Sequence, residues 1–247
     1  MRRKRIDGQE TRLRLLEAAG ALFARKGFWE ASLAEIGRDA KANIAAANYH
    51  FSSKEELYVA AWRHAHEKML VLYPPDGGVP ASAPAAERLR GRIHAILRRM
   101  FDPRGHDLAM IHKEIAFPTG LLSAALHETV RPLRQAFLQI VRELAGPHAS
   151  EQQVTLCHLS VVTQCFGFRM HERQSRSAED TGGPSGRKNV QAAPADVSPE
   201  YIAAIAEHVT SFSLAGILRL RRAAGTGSAR AAQRRLKRRS SRRESQS

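Results

Sequence analysis

Between residues 32 and 54 the chain gathers side chains suited to gripping an anionic polymer. Ser32, Tyr49 and His50 carry hydroxyl and imidazole donors, Lys41 and Lys54 carry full positive charge, and Asn43 and Asn48 carry amides that both donate and accept. Phosphate oxygens accept from hydroxyl, imidazole and ammonium groups, whereas an asparagine amide matches the donor and acceptor pattern of a base edge. Ile44 and Ala45 offer only apolar contact, of the kind a thymine methyl makes. Each polar residue also has a local use: either asparagine can serve only capping or packing, and His50 can sit at the edge of a core. Competing chemistry is weak, since the sequence has no G-x-G-x-x-G, no G-x-x-x-x-G-K-S/T, no G-x-S-x-G and no H-E-x-x-H. His64 and His66 stand two apart, as do His112 and Glu114, so on a helix the members of each pair diverge. No enzyme activity, metal site or cofactor is expected.

The elements that must position these residues lie in SLAEIGRDAKANIAAANYHFSSKEEL, residues 32–57. It reads as two short helices and the start of another, with a bend at Lys41 and Ala42 and a break at Ser52 and Ser53. Leu33, Ile36 and Ala40 share one face of the first. Asn43 caps the second, whose interior of Ile44, Ala45, Ala46 and Ala47 is slim enough for a groove about 12 Å wide. Ser53 and Glu56 form an S-x-x-E pattern ahead of Leu57, a capping box. This is the spacing of a helix-turn-helix with the second helix as reader, although three short helices of any small core share it. Upstream, Thr11 is placed to cap a helix over residues 12–26, striped by Leu15, Leu16, Ala19, Leu22 and Phe23 and ended by Gly27. Phe28 and Trp29 should pack back onto that stripe, Trp29 as a buried anchor. Downstream, a helix over 54–72 carries Leu57, Tyr58, Ala61, Trp62, Ala65, Met69 and Leu72 on one face, long enough to connect a small domain to a second.

Residues 73–86, YPPDGGVPASAPAA, break that helix. Helical periodicity resumes over 87–101 and 106–117, then over 121–144, where Pro132 is a kink or a new start, until Gly146 and Pro147 end it. Residues 151–171 are apolar enough for the centre of a second domain, with His158 and Gln164 as polar exceptions. Residues 172–198 read as a flexible insertion. Ser198-Pro199-Glu200 opens a last core helix through Ile202, Ile205, Val209, Phe212, Leu214, Ile217 and Leu218. The net charge of +15 sits at the ends: residues 1–7 hold four basic and one acidic side chain, and residues 219–247 hold eleven and one. A polyanion partner is implied mainly by these ends, though basic tails also solubilise a chain or bind nucleic acid without selectivity. Cys157 and Cys165, eight residues apart on a helix, are separated by about 12 Å of rise, beyond the reach of a disulfide, and read as reduced core residues. No apolar run of about 18 residues is evident and no apolar stretch follows the basic start, so neither a membrane span nor secretion is expected, and the location is read as cytoplasmic.

Residues 12–67, through ALFARKGF, SLAEIGRDA and NIAAANYHFSSKEELY, resemble the N-terminal domain of the TetR/AcrR family of bacterial transcriptional regulators. The resemblance implies an all-α homodimer: a three-helix DNA-binding domain with a helix-turn-helix, joined by a fourth helix to a larger helical ligand-binding and dimerisation domain. On this chain the divisions fall at 1–10 (basic arm), 11–53 (DNA-binding), 54–222 (ligand-binding and dimerisation, with the insertion 172–198) and 223–247 (disordered basic tail). The family's phosphate-contacting pattern falls on Ser32, Tyr49, His50 and Lys54, and its base-facing positions on Asn43, Ile44, Ala45 and Asn48. Two departures matter. Lys41 stands where the family's turn usually has Gly, and Ala47 replaces a larger aliphatic residue, so the reading helix should pack more loosely. IHKEIAFPT, LCHLSVVTQCFGFR and IAEHVTSFSLAGIL resemble the CecR subgroup. The implied function is a repressor released from a palindromic operator in double-stranded DNA by a small-molecule effector, the dimer interface lying at 151–171 and 199–218. Met100, Ile111, Phe117, Phe137, Gln164 and Phe168 are the expected pocket lining, for an apolar, cationic or aromatic ligand. The competing reading is a constitutive architectural binder of nucleic acid, without an effector.

Overall fold

The computed structural model describes the backbone of residues 2–180 and 197–244, and side chains over 8–171 and 197–225. All regular structure among the described residues is helical, in the order α1 (Arg2–Lys26), α2 (Leu33–Asp39), α3 (Ile44–His50), α4 (Lys54–Leu72), α5 (Ala85–Phe101), α6 (His106–Ala116), α7 (Ser123–Ala145), α8 (Glu151–Asp180) and α9 (Pro199–Glu244). The helices pack as two units. One comprises Met1–Pro75 with Arg98–Leu133, the other Asp76–Leu97 with Arg134–Ser247, so α5 and α7 each contribute to both.

In the first unit α1 packs against α4 and α6 and carries α2 and α3 at its side. Leu15, Leu16, Leu22 and Phe23 of α1 meet Ile36, Ala47, Leu57, Tyr58, Trp62, Met110 and Leu122 in one buried cluster. Each large side chain removed from water contributes about 1.5–3 kcal/mol, which holds the short α2 and α3 in a shape they lack the length to keep alone. α1 stops at Gly27, whose φ of 83° is one a glycine adopts without strain. Phe28 packs between Phe23 and Tyr58. Trp29 does not follow it: the indole is 68% exposed, edge-on to Phe28, because the smaller ring already fills the site against the stripe. Leu72 is also exposed, at the end of the α4 stripe. α4 lies wholly within this unit.

In the second unit Leu89 and Ile93 of α5, Phe137 and Val141 of α7, Val154, Val161 and Cys165 of α8 and Ile205, Val209 and Ile217 of α9 are buried. The loop before α5 runs against that helix at Gly91, where a Cβ would come within 2.5 Å of the Asp76 carbonyl oxygen. Cys157 and Cys165 are free and buried, and burial pushes the Cys165 thiol up to about 12. Phe212, counted as core by its spacing, is 65% exposed.

Three stretches read as irregular differ. α1 begins within the basic arm, α8 runs on to Asp180, inside the flexible insertion, and α9 continues through the basic tail to Glu244. Arg, Ala, Gln, Lys and Leu are strong helix formers, and these segments are rich in them. Residues 181–196 of the insertion lie outside the described ones. Within α9, Pro199–Gly225 is long and apolar enough to cross a membrane by length and composition alone. Its Ile205, Ala206, Val209 and Ile217 are buried in the unit.

Candidate nucleic-acid interface

α2 is set by a complete capping box: Ser32 Oγ accepts from Glu35 N–H at 3.3 Å, and the Glu35 carboxylate accepts from Ser32 N–H at 3.2 Å. Lys26 Nζ donates to Glu35 at 2.6 Å, and this bond, with those from Ser32, draws the carboxyl pKa down to about 2. At its other end, Arg14 Nε of α1 donates to the Ala40 carbonyl at 3.2 Å, tying down an otherwise orphaned acceptor.

The turn into α3 is tight. Ala42 N–H donates to Gly37 O at 2.8 Å, and a Cβ on Gly37 would stand 2.9 Å from Ala42 O, so only glycine lets the two segments approach this closely. Lys41 makes the turn with φ 52°, the left-handed conformation, and its side chain is exposed. For a residue with a Cβ that conformation costs about 1–2 kcal/mol.

Asn43 then caps α3, its Oδ1 accepting from Ala46 N–H at 2.7 Å. The asparagine therefore does cap, and the residue is exposed at the front of the helix. Ala47 is the buried anchor of α3, while Ile44, Ala45 and Asn48 are exposed and Tyr49 is 85% exposed. A helix that buries one alanine and turns a tyrosine and an asparagine outward is presenting a face rather than filling a core. His50 is half-buried, edge-on to Tyr49 at 5.1 Å. Phe51 closes α3 from below, with the Arg12 guanidinium 5.2 Å from its ring centre.

At the start of α4, Ser53 Oγ accepts from Glu56 N–H at 3.1 Å. The reciprocal half of the expected box does not form on Ser53: the Glu56 carboxylate accepts from Ser52 N–H at 2.9 Å and from the Ser52 hydroxyl. With two adjacent serines, the longer reach back to Ser52 satisfies both of its donors. Lys54 Nζ sits 4.4 Å from the Phe28 ring centre, and partial burial there pulls its pKa below the ordinary value. Nothing in the local spacing marks Gly37, Arg12 or Arg14 as parts of this turn. A glycine inside a seven-residue helix was the one available signal; the arginines gave none.

The six expected pocket residues divide between the units. Met100 is buried, Ile111 packs on the core of the first unit, and Phe117 is 64% exposed just past α6. In the second unit Phe137 is buried, Gln164 Nε2 donates to Ser160 O at 3.2 Å, and Phe168 lies edge-on to His208. Among the described residues no group of His, Cys, Asp or Glu is placed to hold a metal ion.

Comparison with known proteins agrees with this architecture. The model for bacterial regulatory proteins of the tetR family matches residues 15–61, and that for the HTH-type transcriptional dual regulator CecR, C-terminal domain, matches residues 85–217. The chain is 24% identical over 178 residues to the dual regulator CecR of Shigella flexneri, spanning 67% of this chain and 78% of that protein. It is 26% identical over 169 residues to the transcriptional regulator SrpR of Pseudomonas putida, spanning 68% and 74%. Among solved structures, a transcriptional regulator from Rhodococcus sp. Rha1 superposes with a TM-score of 0.59 at 17% identity, covering 83% of this chain and 96% of that one. A TetR-family regulator from Streptomyces coelicolor gives 0.55 at 20% identity, covering 85% and 90%. With one family match spanning more than half of the chain and the other falling on the helix-turn-helix, this protein belongs to the TetR family of bacterial transcriptional regulators.

Proposed function

We propose that the protein is a cytoplasmic, homodimeric repressor that holds a palindromic operator and releases it when a small molecule binds its C-terminal helices. The observation that carries the reading is the outward face of α3, where Asn43, Ile44, Ala45, Asn48 and Tyr49 are exposed around the single buried anchor Ala47. In this reading Ser32, Lys41, Tyr49, His50 and Lys54 position the backbone phosphates while Asn43, Ile44, Ala45 and Asn48 meet base edges. A second copy is supported by apolar side chains left exposed on α8 and α9: Leu156, Leu159, Met170, Tyr201, Phe212 and Leu218. The two reading helices then enter successive major grooves about 34–36 Å apart, and an effector that favours any other spacing lowers DNA affinity by a population shift. Of the expected pocket residues, Phe137 is the one whose surroundings favour a ligand.

Selection of bound sequences from random DNA tests operator, half-site spacing and release together. Replacing Tyr49 and His50 by alanine is expected to weaken the selected site by about tenfold or more, through loss of phosphate contacts, and to weaken mismatched sites equally. Undiminished binding by that variant at moderate salt sinks the reading. The constitutive alternative draws on the eleven basic side chains of residues 219–247. It requires that removal of residues 223–247 abolish binding to all DNA.

A further inference from the structure

The second unit buries an arginine and a histidine against one aromatic ring, each with a side-chain nitrogen left without a partner among the described residues. Arg92 of α5 is 7% exposed, yet its Nε has no hydrogen-bond partner among the described residues. What the guanidinium does have is the face of Phe137 of α7, 5.5 Å from the ring centre. His158 of α8 is also 7% exposed, lies edge-on to the same ring at 5.0 Å, and leaves its Nδ1 buried without a partner. Burial, helped by the charges of Arg134 and Arg92, holds the His158 pKa down at about 4. The attraction acting on Arg92 comes from Asp76, an exposed carboxylate occupied with the N–H of Gly78 at 2.8 Å. Arginine does not shed its proton in a protein, so a guanidinium at this depth stays charged. Burying a charge is costly, and an anion bound beside Arg92 would offset that cost more fully than the exposed Asp76 does.

We propose that Arg92 and His158, which both contact the Phe137 ring, form a binding site for the carboxylate of a small organic acid with an apolar body. The acid's oxygens accept from the guanidinium and from the imidazole nitrogen, and Phe137 borders its apolar part. Bidentate pairing with arginine is the geometry that carboxylates favour. This differs from the apolar, cationic or aromatic ligand that the sequence pointed to, because the spacing of Arg92 does not announce its burial. The inference rests on the C-terminal helices being the effector-binding part of the protein.

The test uses the full chain, titrated calorimetrically with benzoate and octanoate, each beside its uncharged amide. At least one carboxylate should bind about tenfold or more tightly than its amide, as expected for a charge-assisted bond gained in a buried site. Arg92→Met should lose that preference, and the imidazole nitrogen signals of His158 should shift when the carboxylate is added to the parent. If neither carboxylate outbinds its amide, or if folded Arg92→Met keeps the preference, the proposal is overturned. Should Arg92→Met not fold, the carboxylate and amide comparison and the His158 signals decide it on the parent protein alone. Operator affinity measured with the same probes separates the two readings. A carboxylate that binds through Arg92 without altering DNA affinity upholds the anion site but denies it the effector role, whereas DNA release by an amide as readily as by its acid overturns the anion site and leaves the repressor.

Discussion

At the scale of single residues, Lys41 and Asn43 show how this chain shapes a turn without the usual glycine. Lys41 accepts a left-handed φ of 52° and keeps its ammonium in solvent beside the reading helix. Replacing it by glycine relieves the strain but also loosens the unfolded chain, so the informative comparison is Lys41→Gly against Lys41→Ala, which both remove the charge. The glycine variant should be the more stable by about 0.5–1 kcal/mol in urea denaturation, since alanine keeps the conformational penalty. Both variants should lower the salt slope of operator binding by about one, the signature of one lost phosphate contact. A second residue-scale feature lies deeper: Asp107 is fully buried, accepts from Arg99 Nη2 at 2.5 Å and pairs with His66 Nδ1 at 3.1 Å. Burial works against its ionisation, but His66 and Arg99 outweigh that and hold its pKa below the ordinary carboxylate range. A carboxylate depressed in this way contributes stability above its unfolded pKa near 4 and surrenders it as the pH falls through the folded value.

At the scale of elements, the pair α2 and α3 owes its geometry to one close approach. Gly37 and Ala42 are so near that a methyl at Gly37 must push the chain leading into α3 outward. Gly37→Ala is a good helix substitution by propensity, worth about 1 kcal/mol in a free helix, and here should act in reverse. We expect it to leave the helical circular dichroism nearly unchanged while reducing operator affinity about tenfold or more, because a reading helix displaced by even an ångström loses paired hydrogen bonds to bases. Equal affinity in parent and variant would show that the crossing of α2 and α3 is softer than its distances imply. The same close packing explains the part of Ala47. Its small side chain is buried in the cluster that anchors α1, so α3 rests on the core through one methyl group.

At the scale of the whole molecule, apolar side chains left exposed on α8 and α9 form the surface on which the proposed dimer would pair. Tyr201, His208, Phe212 and Ala215 recur at helical spacing on one side of α9, and His208 stacks on Phe212 at 6.2 Å. An obligate interface of paired helices needs such a continuous apolar strip to exceed the area of a chance contact. Phe212→Glu places a charge in that strip and should convert a dimer into monomers at micromolar concentration in analytical ultracentrifugation, with operator binding lost alongside. A dimer that survives this change must use another face.

The sequence by itself determined the helices and their order. Periodicity located α4 through α7 to within about two residues, and the slim run after Asn43 was legible as a short capped helix, because both depend on short-range spacing and on capping chemistry written in neighbouring residues. Only the tertiary structure decided which faces meet. Trp29 is left outside because Phe28 holds the place it would take, Glu56 turns back to Ser52 rather than Ser53, and residues 98–133 fold onto the DNA-binding helices instead of onto the segment that precedes them. The depth of Arg92 was likewise hidden, since a charged residue within an amphipathic helix reads as surface until its neighbours, here Phe137 of α7, are packed against it. Local propensity fixes where a helix starts and stops, but burial is a property of what comes to rest beside it.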